Sequence, residues 1–452
     1  MSFKSLLENA TQYAMAFQAP EITTDKMRKA IPEWFGLYYQ ATPQKGEDPC
    51  QRIAYTIVRK LTKTVFSEYK ATCKDAFVNG VLTALNKVSA EAMQMALIGG
   101  ECRLKPIPAK DGFRFVVVPR HNILIFGRDA GGNMTDVGTV EQTASGNFYY
   151  TLLERRTVDS KGFLTIRNRL FRSYTKDNLG QEVSLASVSQ YAELPEEYTF
   201  PKPVGSIGMA QLRTPMVNCV DGSADAVSVY AAAVGLIHNI DHNEAQLNGE
   251  FDRGELRIVV SADMFKKDLH GRPILEDSIF VGLDDDAESI GITPFSPALR
   301  EASFLARKQE YLRNVENVIG LKRGLLSEVE AAERTATEIT SSAGEYNLTI
   351  IDFQQMWERT VREAVQICGV LGQLYQVSGA HETAEEAVVI NWGNGVLYDE
   401  GKTNQELLSQ VQSGLLQPER YLGWYYNLPC DTVAQREKIR KDYMPQLIEE
   451  EE

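Results

Sequence analysis

The chain has 452 residues, 43% hydrophobic and 24% charged, which excludes wholesale disorder and is too long for one simple core. At about 100–200 residues per domain, two to four folding units are expected. A net charge of −14, from 47 Lys plus Arg against 61 Asp plus Glu, excludes tight DNA binding over most of the surface, because phosphate binding draws on clustered cations.

Residues 1–95 read as helical. Ile31-Pro32-Glu33-Trp34 opens an aromatic cluster that ends at Tyr38-Tyr39, and a polar loop follows from Thr42 to Pro49. Ile53, Ile57, Leu61, Val65 and Tyr69 then recur at steps of four, one apolar stripe of a long helix. The character switches near Gly99-Gly100. From Phe113 to Phe171 short alternating runs separated by turn signals predict a half-buried antiparallel meander.

Residues 224–251 predict a helix, with Val227, Tyr230, Val234 and Ile237 on one stripe, extended by Ile240, Leu247 and Phe251. A compact β piece follows, from Glu255 to Val260 and from Ser278 to Leu283, then the acidic loop Asp284-Asp285-Asp286. Ser296-Pro297 supplies an N-cap and a first-turn proline for the next helix. That helix carries two sevenfold stripes, Phe304/Tyr311/Val318 and Leu305/Leu312/Ile319, a spacing suited to lengthwise packing on neighbours. Two helices thus flank a β segment like the legs of a hairpin.

The pattern breaks from Gly320 to Leu326, and Ser327-x-x-Glu330 is a capping box. Beyond it a helix of roughly 70 Å is expected, weakest at Ser341 to Gly344. Its stripe is Tyr346, Ile350, Phe353, Trp357, Val361, Ala364, Cys368, Leu371 and Tyr375. A helix that long suggests a subunit burying its sides against copies of itself. Ile390-Asn391-Trp392 opens a small helical tail with a second capping box at Thr403-x-x-Glu406, further helices from Pro418 and after Asp431, and an acidic end.

Chemical motifs come close and fail. Gly395 to Thr403 has five residues between its glycines where a P-loop has four, and Asp399-Glu400 would stand beside the phosphate. His238 and His242 have the spacing of zinc ligands, but Asn239 stands where a zincin has its glutamate. Asp284 to Glu288 fails as a calcium loop because Ser289 holds the position that needs glycine. The six cysteines, Cys50, Cys73, Cys102, Cys219, Cys368 and Cys430, form no CxxC pair, so reduced thiols are expected. Met1-Ser2-Phe3-Lys4 has neither the order of a secretion signal nor a myristoylation glycine. The longest mostly apolar run, Ala226 to Ile237, is about 12 residues where a membrane span needs about 20. The expectation is a soluble intracellular product without metal, cofactor, catalytic residue or membrane contact.

Taken in order, several segments resemble the portal proteins of tailed double-stranded-DNA bacteriophages, notably long-tailed phages of Gram-positive hosts. They are Ile31 to Trp34 with Tyr38-Tyr39, Ala96 to Pro106, Gly222 to Asp241 with Arg257 to Val260, Arg334 to Ile339 with the long helix, and Ile390 to Trp392. The likeness spans about residues 20 to 445. It departs at Asn394, where an acidic residue is expected, and in the Pro/Gly-rich early loop.

The resemblance implies an α+β portal fold assembled as a ring, a dodecamer, at one capsid vertex of the virion. It implies a wing at 1–220, stem helices at 221–252 and 298–319 around a clip at 253–297, and a tunnel loop at 320–335. The long wing helix and return strand would take 336–399 and the crown 400–452. Implied partners are the terminase large subunit, major capsid and scaffolding proteins, and a head-completion or adaptor protein. Double-stranded DNA would pass through the bore without sequence recognition. Lys322 and Arg323 are candidate channel cations making transient phosphate contacts, and Asp284, Asp285 and Asp286 candidate docking residues of the clip. The alternatives are another head-completion or minor capsid component and, less favoured, an enzyme that uses the meander as a platform.

Overall fold

The computed structural model describes residues 10–39, 48–109, 112–253, 257–261, 279–282, 293–295, 300–328, 336–382, 388–393, 400–426, 428–430 and 432–444. The fold is α+β and divides into two compact units, Met1–Val65 with Ala71–Ile390, and Phe66–Lys70 with Asn391–Glu452.

The larger unit begins with helices α1 (Ala10–Phe17), α2 (Asp25–Tyr39) and α3 (Ile53–Val65). In α3 the predicted stripe Ile53, Ile57, Leu61 and Val65 is buried, but the helix stops at Val65, so Tyr69 lies beyond it. After the short strand β1 (Lys70–Thr72), α4 (Ala76–Gly99) is capped by Asp75, whose carboxylate accepts from the Val78 amide at 2.9 Å. Gly100 ends α4 at φ +84°, which glycine adopts at little cost.

From that glycine the chain enters β2 (Glu101–Ala109), the centre of an antiparallel sheet between β3 (Gly112–Pro119) and β10 (Ala210–Arg213). A 3₁₀ turn at Arg120–Asn122 carries the chain into a second sheet. It runs β4 (Ile123–Arg128), β5 (Met134–Ser145), β6 (Phe148–Val158), β7 (Leu164–Ser173) and β8 (Gln181–Val183), with β9 (Glu197–Thr199) also on β7. The meander is therefore present, with β3 belonging to the neighbouring sheet. It is also more than half-buried at its centre, since Tyr150 through Glu154 are all buried. One face packs Tyr13, Phe17, Leu153 and Phe171, and the other Leu152, Leu170, Leu185 and Tyr191.

The helix expected from residue 224 starts later. Ala226 to Tyr230 is buried irregular chain, followed by a 3₁₀ turn at Ala231–Ala233 and then α5 (Val234–Arg253). The cause is the end of α4, whose terminal carbonyls need donors from outside the helix. The Leu97 carbonyl accepts from the Val229 amide at 2.9 Å and from the Ser228 hydroxyl at 3.1 Å. Residues 226–230 serve that helix end and so cannot form one themselves.

Strands β11 (Arg257–Ser261), β12 (Ile279–Gly282) and β13 (Thr293–Phe295) form a sheet ordered β12-β11-β13, parallel on one side of β11 and antiparallel on the other. Ser296-Pro297 lies outside the described residues. The next helix, α6 (Glu301–Ile319), has Arg300 at its N-cap position.

Helix α7 (Ala336–Leu374) is continuous through Ser341–Gly344 and, at 39 residues, about 58 Å long. Residues 329–335, between the proposed cap and this span, lie outside the described residues. Its predicted stripe is buried from Tyr346 to Leu371, whereas Tyr375 falls past the end and is exposed. The burial is internal. Tyr346 bonds Thr64 at 2.9 Å, Gln354 reaches the Val65 carbonyl at 3.5 Å, and Thr360 donates to the Gln211 carbonyl at 2.6 Å. The chain's own helices and β10 thus cover this face. A short strand, β14 (Val389–Asn391), follows.

The smaller unit contains α8 (Glu400–Gln412), α9 (Pro418–Tyr425) and α10 (Val433–Tyr443). Thr403 lies inside α8, so it does not cap it. The capping box present is Thr432 with Gln435, at the start of α10. Glu419 and Arg440 tie α9 to α10 at 2.6 Å. Trp392 stands 4.8 Å from the Tyr69 ring, centroid to centroid.

Candidate functional site

Helices α5 and α6 form an antiparallel pair, and β11 to β13 lie between them in the sequence. Arg300 grips the Glu250 carboxylate with two nitrogens at 3.0 and 2.7 Å. Further along, Asn243 donates to the Phe304 carbonyl at 3.1 Å and Lys308 pairs with Glu244 at 2.8 Å. The buried side of α6 is Leu312, Val315, Glu316 and Ile319. Of the predicted sevenfold stripes only Leu312 and Ile319 are buried, while Leu305 and Val318 are 44% and 47% exposed.

Residues 48–51 strap this pair at one end. The Gln51 amide donates to Asp241 at 2.7 Å, and Lys308 reaches the Gln51 side chain at 3.0 Å. His242 faces Asp48 at 3.1 Å and His238 faces Glu33 at 2.9 Å. The two histidines turn to separate carboxylates and do not converge. Among the described residues no group of three or more His, Cys, Asp or Glu has the geometry of a metal site.

After α6 the chain makes a tight turn. Gly320, at φ +76°, is a left-handed cap, and the Leu321 amide closes on the Glu316 carbonyl at 2.8 Å. Lys322 and Arg323 are exposed at the tip, and the Leu325 amide returns to the Lys322 carbonyl at 3.0 Å. Ser327 is tied back to α6. Its hydroxyl donates to the Glu316 carboxylate at 2.8 Å, and Glu330 lies outside the described residues. The structure thus brings Lys322 and Arg323 together. Asp284, Asp285 and Asp286 lie outside the described residues.

Glu316 was hidden by the sevenfold reading. A carboxylate falling between Leu312, Val315 and Ile319 at steps of three and four was the available signal, since a buried acid needs partners.

Elsewhere, charge is buried in a structural knot. Arg120 donates to Thr23 at 3.0 Å and to the Ile123 carbonyl at 2.7 Å, and shares Asp225 with Arg128 at 3.4 and 2.8 Å. Burial pushes the adjacent Glu101 carboxyl up, but Arg103, Arg120 and Arg128 outweigh it and hold it below the ordinary range. His121 is pushed down to about 3 by burial and by Arg120. A cleft of about 440 Å³ beside α1 is lined by Met15, Gln18, Glu21 and Arg28 among others, and its charged groups pair with each other at 3.4 Å. Of the P-loop-like segment, residues 394–399 lie outside the described residues, and Gly401, Lys402 and Thr403 are helical rather than a phosphate-wrapping loop. Among the described residues no helix is long and apolar enough to cross a membrane. No family model matches the chain, and no curated protein matches it.

Proposed function

We propose that the chain is a portal-ring subunit of a tailed bacteriophage, a non-catalytic channel for loading and releasing DNA. The observation that carries the reading is the α5–α6 pair with β11 to β13 between its helices in the sequence. A turn exposing Lys322 and Arg323 and a 39-residue helix follow it, in the order the sequence resemblance calls for. On this reading α5 and α6 are the stem and residues 253–297 the clip that docks the terminase motor and later a head-completion protein. The turn faces the bore, residues 1–220 with 336–399 make the wing, and 400–452 the crown.

Charge supports the assignment. DNA must slide without sticking, so a bore needs a mainly anionic wall with sparse cations, and the chain is strongly acidic. Leu305 and Val318 of α6, each exposed, are apolar points that a neighbouring subunit would cover.

The deciding experiment is electron imaging of the purified full chain with a native mass measurement. Rings of about a dozen subunits around a central hole are expected. A single compact chain under all assembly conditions would overturn the proposal.

A further inference from the structure

The cation-bearing turn is wired to its surroundings through one acid. Glu316, on the buried side of α6 and 1% exposed, points its carboxylate into the turn that follows. One oxygen accepts the Ser327 amide at 2.9 Å and the Leu326 amide. The other accepts the Gly324 amide at 3.2 Å and the Ser327 hydroxyl at 2.8 Å. Three backbone donors and one hydroxyl thus converge on a single side chain. From α3, the Lys60 ammonium donates to the Leu325 carbonyl, and Gln309 accepts the Glu328 amide at 2.8 Å.

We infer that Glu316 is the positioning residue for Lys322 and Arg323, with Lys60 as its counterpart on α3. The bonds close a loop of backbone donors on a buried carboxylate, an arrangement that holds one conformation because each released donor loses its partner out of water. The two cations therefore stand as fixed posts on a rigid turn and do not ride a floppy loop. Their use in a DNA channel rests on the portal reading; the clamp itself does not.

Glu316→Ala, Glu316→Gln and Ser327→Ala grade the clamp. Alanine at 316 removes all four acceptor bonds. Glutamine keeps one oxygen for Leu326 and Ser327 but turns an NH₂ toward the Gly324 amide. Alanine at 327 removes only the hydroxyl bond.

The readout is amide hydrogen exchange of the assembled full-length protein, resolved at residues 324–327. Exchange is expected to rise about tenfold or more in Glu316→Ala, as the loss of charged hydrogen bonds implies. It should rise chiefly at Gly324 in Glu316→Gln and little in Ser327→Ala. Protection within α7 serves as the control for folding. If Glu316→Ala fails to fold, the Glu316→Gln pattern decides alone. Unchanged exchange at Gly324 in a folded Glu316→Gln protein overturns the inference. If the turn loosens yet the amount of packaged DNA stays the same, the clamp stands and the channel role of Lys322 and Arg323 falls.

Discussion

The Tyr230 hydroxyl donates to the backbone carbonyl of Trp34 at 2.8 Å, with both side chains buried. It joins the early aromatic segment to the stretch that leads into α5. Burial drives the Tyr230 phenol far above its ordinary range, so it remains a donor at all working pH values. Tyr230→Phe leaves the carbonyl without this donor, and a loss of about 1–2 kcal/mol is expected. Thermal or urea unfolding of the purified chain checks it.

Gly100 tolerates no side chain. A Cβ there would lie 2.5–2.6 Å from backbone atoms of Ala226 and Val227, at a φ that L-residues rarely adopt. Gly100→Ala is expected to cost about 2 kcal/mol or more. Gly80, on the same helix with open space around it, is the control, because Gly80→Ala meets nothing within 4 Å. An equal effect at both sites would remove the explanation.

Asp225 neutralises Arg120 and Arg128 in the buried knot. Asp225→Ala leaves two guanidiniums short of their acid, and about 3 kcal/mol of destabilisation is expected, the low end for a broken buried pair because Arg120 keeps its bonds to Thr23 and Ile123. Denaturant unfolding of the variant measures it.

Glu154 gives a pH dependence. Burial raises its carboxyl, but Arg156 at 2.7 Å and Lys105 at 2.6 Å overcome that and hold it at about 2. The unfolded chain restores a value of about 4.3. Folded below unfolded means that the stabilisation is complete above about pH 4.3 and fades as pH falls toward about 2. Glu154→Gln should therefore lower the unfolding temperature at neutral pH and flatten its fall over that acid range. A variant that keeps the wild-type slope would exclude Glu154 as its source.

Lys322 and Arg323 carry the functional test. In assembled protein, Lys322→Ala with Arg323→Ala should flatten the plot of log DNA affinity against log salt by about 0.9 for each phosphate no longer neutralised. Lys322→Glu with Arg323→Glu should reduce the DNA packaged per particle. No change in either quantity removes both residues from the bore.

Legibility in the sequence followed the reach of the forces. The stripes of α3 and α7 were visible because burial on one side repeats every turn, and β5 to β7 because alternation repeats every second residue. The start of α5 was not, since the claim of Leu97 on Val229 is made from over 100 residues away and leaves no local period. The spacing at Ser327 suggested a cap and gave no sign that its hydroxyl donates to Glu316 on the preceding helix. At the candidate site the cations could be read as two adjacent letters. The acid that seats them could be found only by asking why a glutamate lies among leucine, valine and isoleucine.

The inward burial of the α7 stripe from Tyr346 to Leu371 bears on what any assembly of this chain could draw on. Its heaviest apolar helix is already quenched by its own neighbours in the fold, so separating one chain from another uncovers no raw interior there. At this helix, any association would dock an element that is already packed. The melting of this helix should then be indifferent to how many copies surround it.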